Sequence, residues 1–407
     1  MKLKATSLSF ALFIVFFISI LMSSLILLYS SSDKIQVLHQ QQRKLMRNAE
    51  SGVYQALMLE EKEEGVAVDL FGDERDSVFI EQEAWGLFTL VHSKAFTRRD
   101  TVYKAAFTGE KIFKKNRACL YLADKNAPLS ICGETRIEGE VYIPKSGVKR
   151  AYIEGQNYNG DRLIYGAEKR SERFIPPLNK NVKERMLFPL DQSQEREEVF
   201  WTGDEIDSLY RPFDKLPLYF FSDGTIRIQN QKLRGKILID SKSKIEVAAY
   251  AELEDVILMA PEVIVESGFE GRIQIFSKSV QILEEVYLKE PSVVAVASGD
   301  ESPQIEIKEE SQVNGLLIAQ SDQRFPAQIL LEEARLEGIL YNDGLSQIVG
   351  EIDGAVYSSE LILKTASSVY KNHLLHAKIG QSEEIQSRVF PSLLDENKSQ
   401  AIERWLN

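Results

Sequence analysis

Four histidines, two cysteines and a dense population of glutamates are the residues whose types could carry chemistry in this chain. His39 and His92 stand alone. His373 and His376, in Asn372-His-Leu-Leu-His376, are three apart and would share one face of a helix. Two imidazoles do not hold a zinc ion, and no third ligand sits at a recognisable offset, so no metal ligand is assigned. Glu306, Glu309, Glu310, Glu332 and Glu333 fall on neighbouring strand-like segments, where paired carboxylates could act as acid and base or hold calcium over a polysaccharide. The other reading is a solvated face, because outward strand positions carry glutamate throughout. No phosphate-cradling G-x-x-x-x-G-K-[ST], strand-linked G-x-G-x-x-G, G-x-S-x-G elbow or H-E-x-x-H pair occurs. Catalytic and cofactor-binding residues are therefore not assigned, and no cofactor is expected.

Cys119 and Cys132 flank the turn-like Lys125-Asn-Ala-Pro128. A hairpin there would let the pair form a disulfide in an oxidising compartment, while two small buried thiols are the alternative. Trp201 beside Phe200 reads as core and not as a ligand platform.

The elements that must position these residues announce themselves as a repeat. Between Ile226 and Tyr357 an apolar residue, any residue and a turn residue recur as Leu233-Arg-Gly235, Leu253-Glu-Asp255, Phe269-Glu-Gly271, Leu288-Lys-Glu290, Val313-Asn-Gly315, Leu336-Glu-Gly338 and Ile352-Asp-Gly354. The third positions are 20, 16, 19, 25, 23 and 16 residues apart. Such steps are one coil of a β-solenoid, whose units bury their apolar faces only by stacking. Strands such as Lys244-Ile-Glu-Val-Ala and Gln304-Ile-Glu-Ile-Lys alternate apolar and charged residues, one face buried and one wet. The phrase first appears earlier, as Ile137-Glu-Gly139 and Ile153-Glu-Gly155.

The N-terminus carries a different signal. An uncharged run from Ser7 to Ser32, preceded by Lys2 and Lys4, has an apolar centre from Leu8 to Tyr29 that reaches roughly 33 Å as a helix, enough to cross a hydrocarbon core of about 30 Å. A cleaved signal peptide shares these features, but no convincing small-residue cleavage site follows. Beyond the span, Ile35, Leu38, Gln42, Leu45, Ala49, Gly52, Ala56 and Leu59 mark one stripe of a continuing helix, closed by Glu60–Gly65 with Gly65 as cap.

These signals divide the chain into an anchor (1–32), a stalk helix (33–65), a small antiparallel α+β unit (66–117), first solenoid coils (118–166), an inserted segment with short helices at Asn181–Met186 and Gly203–Tyr210 (167–217), a main solenoid (218–365) and a helical cap (366–407). The expected class is mainly β, a solenoid on a membrane helix. An apolar fraction of 44% excludes a mainly disordered chain, and a net charge of −12 argues against nucleic acid as a partner. The expected partner is the lipid bilayer, through residues 7–32.

Two resemblances follow from these residues. The outer half of the N-terminal helix, with Ala49, Glu50 and Gly52 in "RNAESGVYQAL", resembles minor pilin-like subunits of type IV pili and type II secretion systems. It lacks that pattern's glutamate near the start of the apolar segment. The stretches 133–166 and 220–360 resemble bactofilin-like, polymer-forming β-helix proteins. The resemblances imply a protein of a bacterial inner membrane, partnered by itself or by other envelope or pilin-like proteins. The short N-terminal tail, which needs no transport, and the possible disulfide hairpin favour a single pass with the N-terminus inside and most of the chain extracytoplasmic, a solenoid facing the cytoplasm being the alternative. The expected role is a non-enzymatic structural or assembly platform. The alternatives are a pilin-like component and a β-helix enzyme acting on polysaccharide.

Overall fold

The structure, a computed structural model, describes residues 5–58, 66–68, 77–111, 118–190, 195–203, 206–321, 324–394 and 400–406. The expected cap at Gly65 lies outside them. The chain forms two compact units, one of Met1–Glu81 with His92–Lys104, the other of Gln82–Val91 with Ala105–Asn407.

In the first unit, helix α1 runs unbroken from Ala5 to Ala56, 52 residues or about 78 Å. Its residues from Leu8 to Lys44 are exposed, Leu8 to Tyr29 almost wholly apolar, and it is the one described helix long and apolar enough to span a membrane. The predicted stripe is buried only in its last part, at Leu45, Ala49, Gly52 and Ala56, while Ile35 and Leu38 stay exposed. The small residues there permit close approach: a Cβ on Gly52 would lie 2.2 Å from Ser93 Oγ and 2.6 Å from Val78 Cγ1. Val66–Val68 pairs antiparallel with Val78–Ile80.

The second unit is the predicted β-solenoid, of about 11 turns in a chain that is mainly β. Each coil lays strands on three faces. Leu218–Ser222, Ile226–Ile228 and Lys232–Gly235 form one coil, and Ile237–Ser241, Lys244–Val247 and 252–254 stack on it in parallel register. Parallel pairing continues coil by coil to Gln328–Lys364. The inward columns of Ile, Leu and Val are buried, as alternation demands.

The stacking order differs from the chain order. Leu120–Leu122 pairs with Val356–Ser358, Val141–Ile143 pairs with Leu120–Leu122, and Glu168–Arg170 pairs with Val141–Ile143. The first coils in sequence are thus the last in the stack. The segment expected as an insert carries the chain to the opposite end, where Glu197–Phe200 and Ser208–Arg211 already belong to coils. Its first predicted helix is present as α2, Lys180–Leu187, capped by Asn179. The second is instead the strand Ser208–Arg211, drawn into parallel pairing with Lys232–Gly235.

The tail from 366 also departs from expectation. It forms strands Val369–Lys371, His373–Leu375, Ala377–Gly380 and Gln400–Trp405, and among its described residues only Glu383–Ser387 is helical, as α3. Neighbouring coils supply open strand edges, and Ala377–Gly380 pairs with 350–353, so pairing overrides helical periodicity.

The repeated phrase marks the corner where one coil passes to the next. Gly315, Gly338 and Gly354 have φ of 150°, 154° and 150°, and a Cβ on Gly338 or Gly354 would lie 1.8 Å from the carbonyl oxygen of the glycine one coil below. Gly235 and Gly139 are likewise left-handed, Asp255 adopts φ 65° without being glycine, and Gly271 lies 2.8 Å from Leu253 O by the same test. Gly155 does not belong to the column: it turns the hairpin of Tyr152–Ile153 with Gln156–Asn157, and Gly166 stacks on Gly139 in its place. Glu290 is also displaced, since Ser292 pairs with Gly315. Gly338→Ala should lower stability by about 3 kcal/mol or more, because backbone opposes the methyl in a conformation alanine resists. Gly299→Ala, which meets open space, should change it by less than about 0.5 kcal/mol. The midpoint of urea unfolding measures both.

Candidate functional site

The apolar outer face of one solenoid sheet, with Leu238, Ile257, Val293, Leu316 and Ile339 all buried, is covered by a second layer from the same unit. Gln274 fastens part of it, accepting from Leu87 N at 2.9 Å and donating to Trp85 O at 3.0 Å. Lys236 and Glu83 form a buried ion pair at 2.5 Å. Helix α2 lies on the strand Tyr287–Ser298 through its buried face, Val182 and Met186.

Beside this layer runs a groove of about 1190 Å³, between the crossing segment 171–177 and coil corners at Gln320–Ser321, Asp343–Leu345, Ser359–Glu360, Asp124–Asn126 and Lys145. Tyr341, in its lining, begins a stack of tyrosines on successive coils, Tyr341, Tyr357, Tyr121 and Tyr142, with neighbouring ring centroids 6.4, 6.1 and 5.2 Å apart. The crossing segment is held on them: Tyr341 Oη donates to Pro176 O at 3.0 Å, and Glu172 N donates to Tyr121 Oη at 3.1 Å. Burial pushes the Asp343 carboxyl up to about 6, against the pull of the Ser321 N–H it accepts and of nearby Lys183. Asp124 is held below the usual carboxylate range by the N–H groups of Asn126 and Lys145. Ser171 is buried, lines the groove, and its Oγ has no partner. The arrangement offers hydrogen bonds and cations without a nucleophile–base pair.

The residues singled out from sequence are scattered. Glu306 and Glu332 are joined through Lys308 Nζ at 2.5 and 2.9 Å, which raises the lysine's pKa. Glu310 and Glu333 occupy left-handed turns on a different corner, at φ 58° and 52°. His373 lies in a strand paired with Ser130–Cys132, so it shares no helix face with His376. Among the described residues, no group of three metal-ligating side chains converges. Trp201 is core, packed edge-on to Phe220, whereas Phe200 is exposed. The cysteines are free and buried; their strands lie on different faces of one coil and not in a hairpin. Burial pushes the Cys119 thiol up to about 12, and Cys132 Sγ donates to Gln156 O at 3.0 Å.

A buried ionic network fastens the chain's last segments and was not legible in sequence. Arg404 pairs with Asp255, which Arg272 approaches at 3.6 Å. Arg388 reaches Glu290 at 3.2 Å, Glu337 at 2.8 Å and Glu384 at 3.0 Å. Glu403 lies at a bulge in the pairing of Gln400–Trp405 with Ala106–Glu110, its Oε2 buried and unpartnered. Acids outnumber arginines here, and burial, opposed by Arg404, pushes Glu403 up to about 8. No protein-family model, curated protein or solved structure matches the chain, so the two family resemblances rest on their quoted residues alone.

Two outcomes follow. The folded chain holds a proton on Glu403 that the unfolded chain releases, so this group costs stability progressively as pH rises from about 4.5 to 8. Glu403→Gln should therefore match the parent near pH 5 and exceed it by about 2 kcal/mol above pH 8, read from urea unfolding at each pH. Both thiols should resist maleimide in the native protein and react fully once it is denatured.

Proposed function

We propose that this chain is a non-enzymatic, membrane-tethered structural or assembly platform of a bacterial cell envelope, anchored by its N-terminal helix with the bulk extracytoplasmic. The observation that carries the reading is α1. Its exposed apolar part is long enough to cross a bilayer, and the same uninterrupted helix ends docked on folded chain through Leu45, Ala49 and Gly52. The stacked coils supply a long rigid body suited to holding partners. Against catalysis stands the pairing of the carboxylates that a polysaccharide enzyme would need.

The pilin-like version is favoured by the continuity of α1 from apolar to docked part, the form an anchor needs to join a bundle of such helices. Crosslinking in native membranes, followed by identification of captured proteins, separates the versions. Pilus or secretion components support the pilin-like one, ladders of the chain itself support polymerisation, and other envelope proteins support a platform. Capture of none of these would remove the assembly role.

Orientation is read with Tyr250→Cys, at a position 86% exposed, since the native thiols are buried. A membrane-impermeant maleimide should label it in intact cells; labelling only after lysis would put the solenoid in the cytoplasm.

A further inference from the structure

We propose that the groove between residues 171–177 and the coil corners binds an extended, multiply anionic polyol, a linear chain of sugar or glycerol units carrying carboxylates or phosphates. This goes beyond the platform reading and holds on either side of a membrane.

The first argument is shape. The groove is lined by corners of five consecutive coils, from Gln320 through Asp343, Ser359 and Asp124 to Lys145. Parallel neighbours are spaced about 4.8 Å, so the lining repeats along roughly 19 Å. An extended polymer with polar groups at a similar interval matches such a track.

The second is charge. The chain carries −12 overall, and cations on the coil faces are commonly paired, as in Lys308 with Glu306, Lys232 with Glu252 and Lys278 with Asp300. In the groove the pattern reverses. Lys125, Lys145, Arg173 and Lys183 line it, and none forms a carboxylate ion pair among the described residues. The acids beside them are engaged: Asp124 by two backbone N–H groups, Asp343 by Ser321 N and Glu360 by Lys371 at 3.6 Å. Glu172, exposed, is the exception. Hydrogen bonding leaves these acids charged, so the groove sets four acids against four cations; Glu360 is offset from outside by Lys371, and the excess offered to a ligand is one positive charge.

The third is hydrogen bonding. A buried hydroxyl without a partner is costly, and Ser171, a residue of the groove wall, has one just beneath the surface. Asn126 and Gln320 add amides that can donate or accept, which suits hydroxyl groups. A single-stranded nucleic acid is the poorer fit, because its bases need open aromatic faces. The one exposed aromatic ring, Phe174, already carries Lys125 at 5.1 Å and Arg173 at 5.6 Å from its centroid.

The test uses the full chain in nanodiscs of neutral lipid, with four probes of equal length: oligogalacturonate, a glycerol phosphate oligomer, a neutral maltooligosaccharide and single-stranded DNA. At least one of the first two should bind, more weakly as salt rises. Lys125→Ala and Lys183→Ala should each weaken it roughly tenfold. Lys232→Ala, outside the groove, should leave binding unchanged. Preference for oligogalacturonate identifies a carboxylated glycan, and preference for the glycerol phosphate oligomer a phosphodiester polymer. The proposal is overturned if neither anionic probe binds, if the neutral sugar or DNA binds as tightly, or if the groove variants bind like the parent. Should a variant unfold, Lys183→Glu scored by binding at matched folded fraction, together with the salt dependence of the parent, still decides it.

Discussion

A coil of this solenoid has no interior of its own: its inward isoleucines, leucines and valines are buried only when backbone above and below comes within hydrogen-bonding distance. The tightest point of that approach is the corner where Gly354 sits on Gly338 and Gly338 on Gly315, each with its hydrogen where a Cβ would strike a carbonyl oxygen. Were these corners widened by a side chain, parallel pairing along 315–321, 338–342 and 354–358 would be displaced at its start. The column tolerates Asp255 where the stack has a register shift between Glu254 and Val256, a local loosening that glycine is not needed to accommodate. Elsewhere the chain accepts left-handed glutamates, as at Glu285, Glu310 and Glu333, on a corner that offers their side chains room.

Because coils stack by proximity and not by chain order, one interface of the stack joins distant parts of the sequence. Leu120–Leu122 completes the stack against Val356–Ser358, so the coil at 354–380 is not covered on both sides until residues from before 166 are in place. The same arrangement requires a segment to travel back along the body, and that traveller, 171–190, becomes the cover of an otherwise exposed apolar face and one wall of the groove. Groove and topology are thus one consequence. The ionic network does for the last segments what pairing does for the coils, with Arg388 and Arg404 set against acids at the glycine corner. Its excess of carboxylates means that it holds best when one of them stays protonated.

Local pattern made the strands, the apolar columns, α1 and the glycine corners readable, because each depends on residues close in sequence: period-two alternation, a run without charge, an apolar residue before a turn. Order in the stack depends on which edges meet, and nothing near Leu120 or Val356 names the other. For the same reason Gly155 looked equivalent to Gly139 by spacing, although the residue that stacks there is Gly166, 27 positions on. Amphipathic spacing in the tail suggested a helix, but open strand edges outweighed weak helical preference at His373–Leu375 and Ala377–Gly380. The groove was hidden for both reasons, since its walls come from five coils and a crossing segment, and its signal is that four cations form no carboxylate ion pair among the described residues.

The ends of the stack bear on what such a body can do. At one end Glu168 and Arg170 stand in register with Val141 and Ile143, positions that are buried and apolar one coil further in. At the other, Glu197 stands in register with Leu218. Continuing the stack into a second copy would bury these charges where the solenoid otherwise keeps hydrocarbon, and burying an unpaired charge costs more than one coil's apolar contacts return. Inward-pointing charge on a short terminal strand is a known way of ending a sheet without inviting another. The charged terminal strands therefore oppose end-to-end continuation of the stack at both ends. With charge at both terminal strands, the larger surface the stack offers is its sides, and the polar groove lies there.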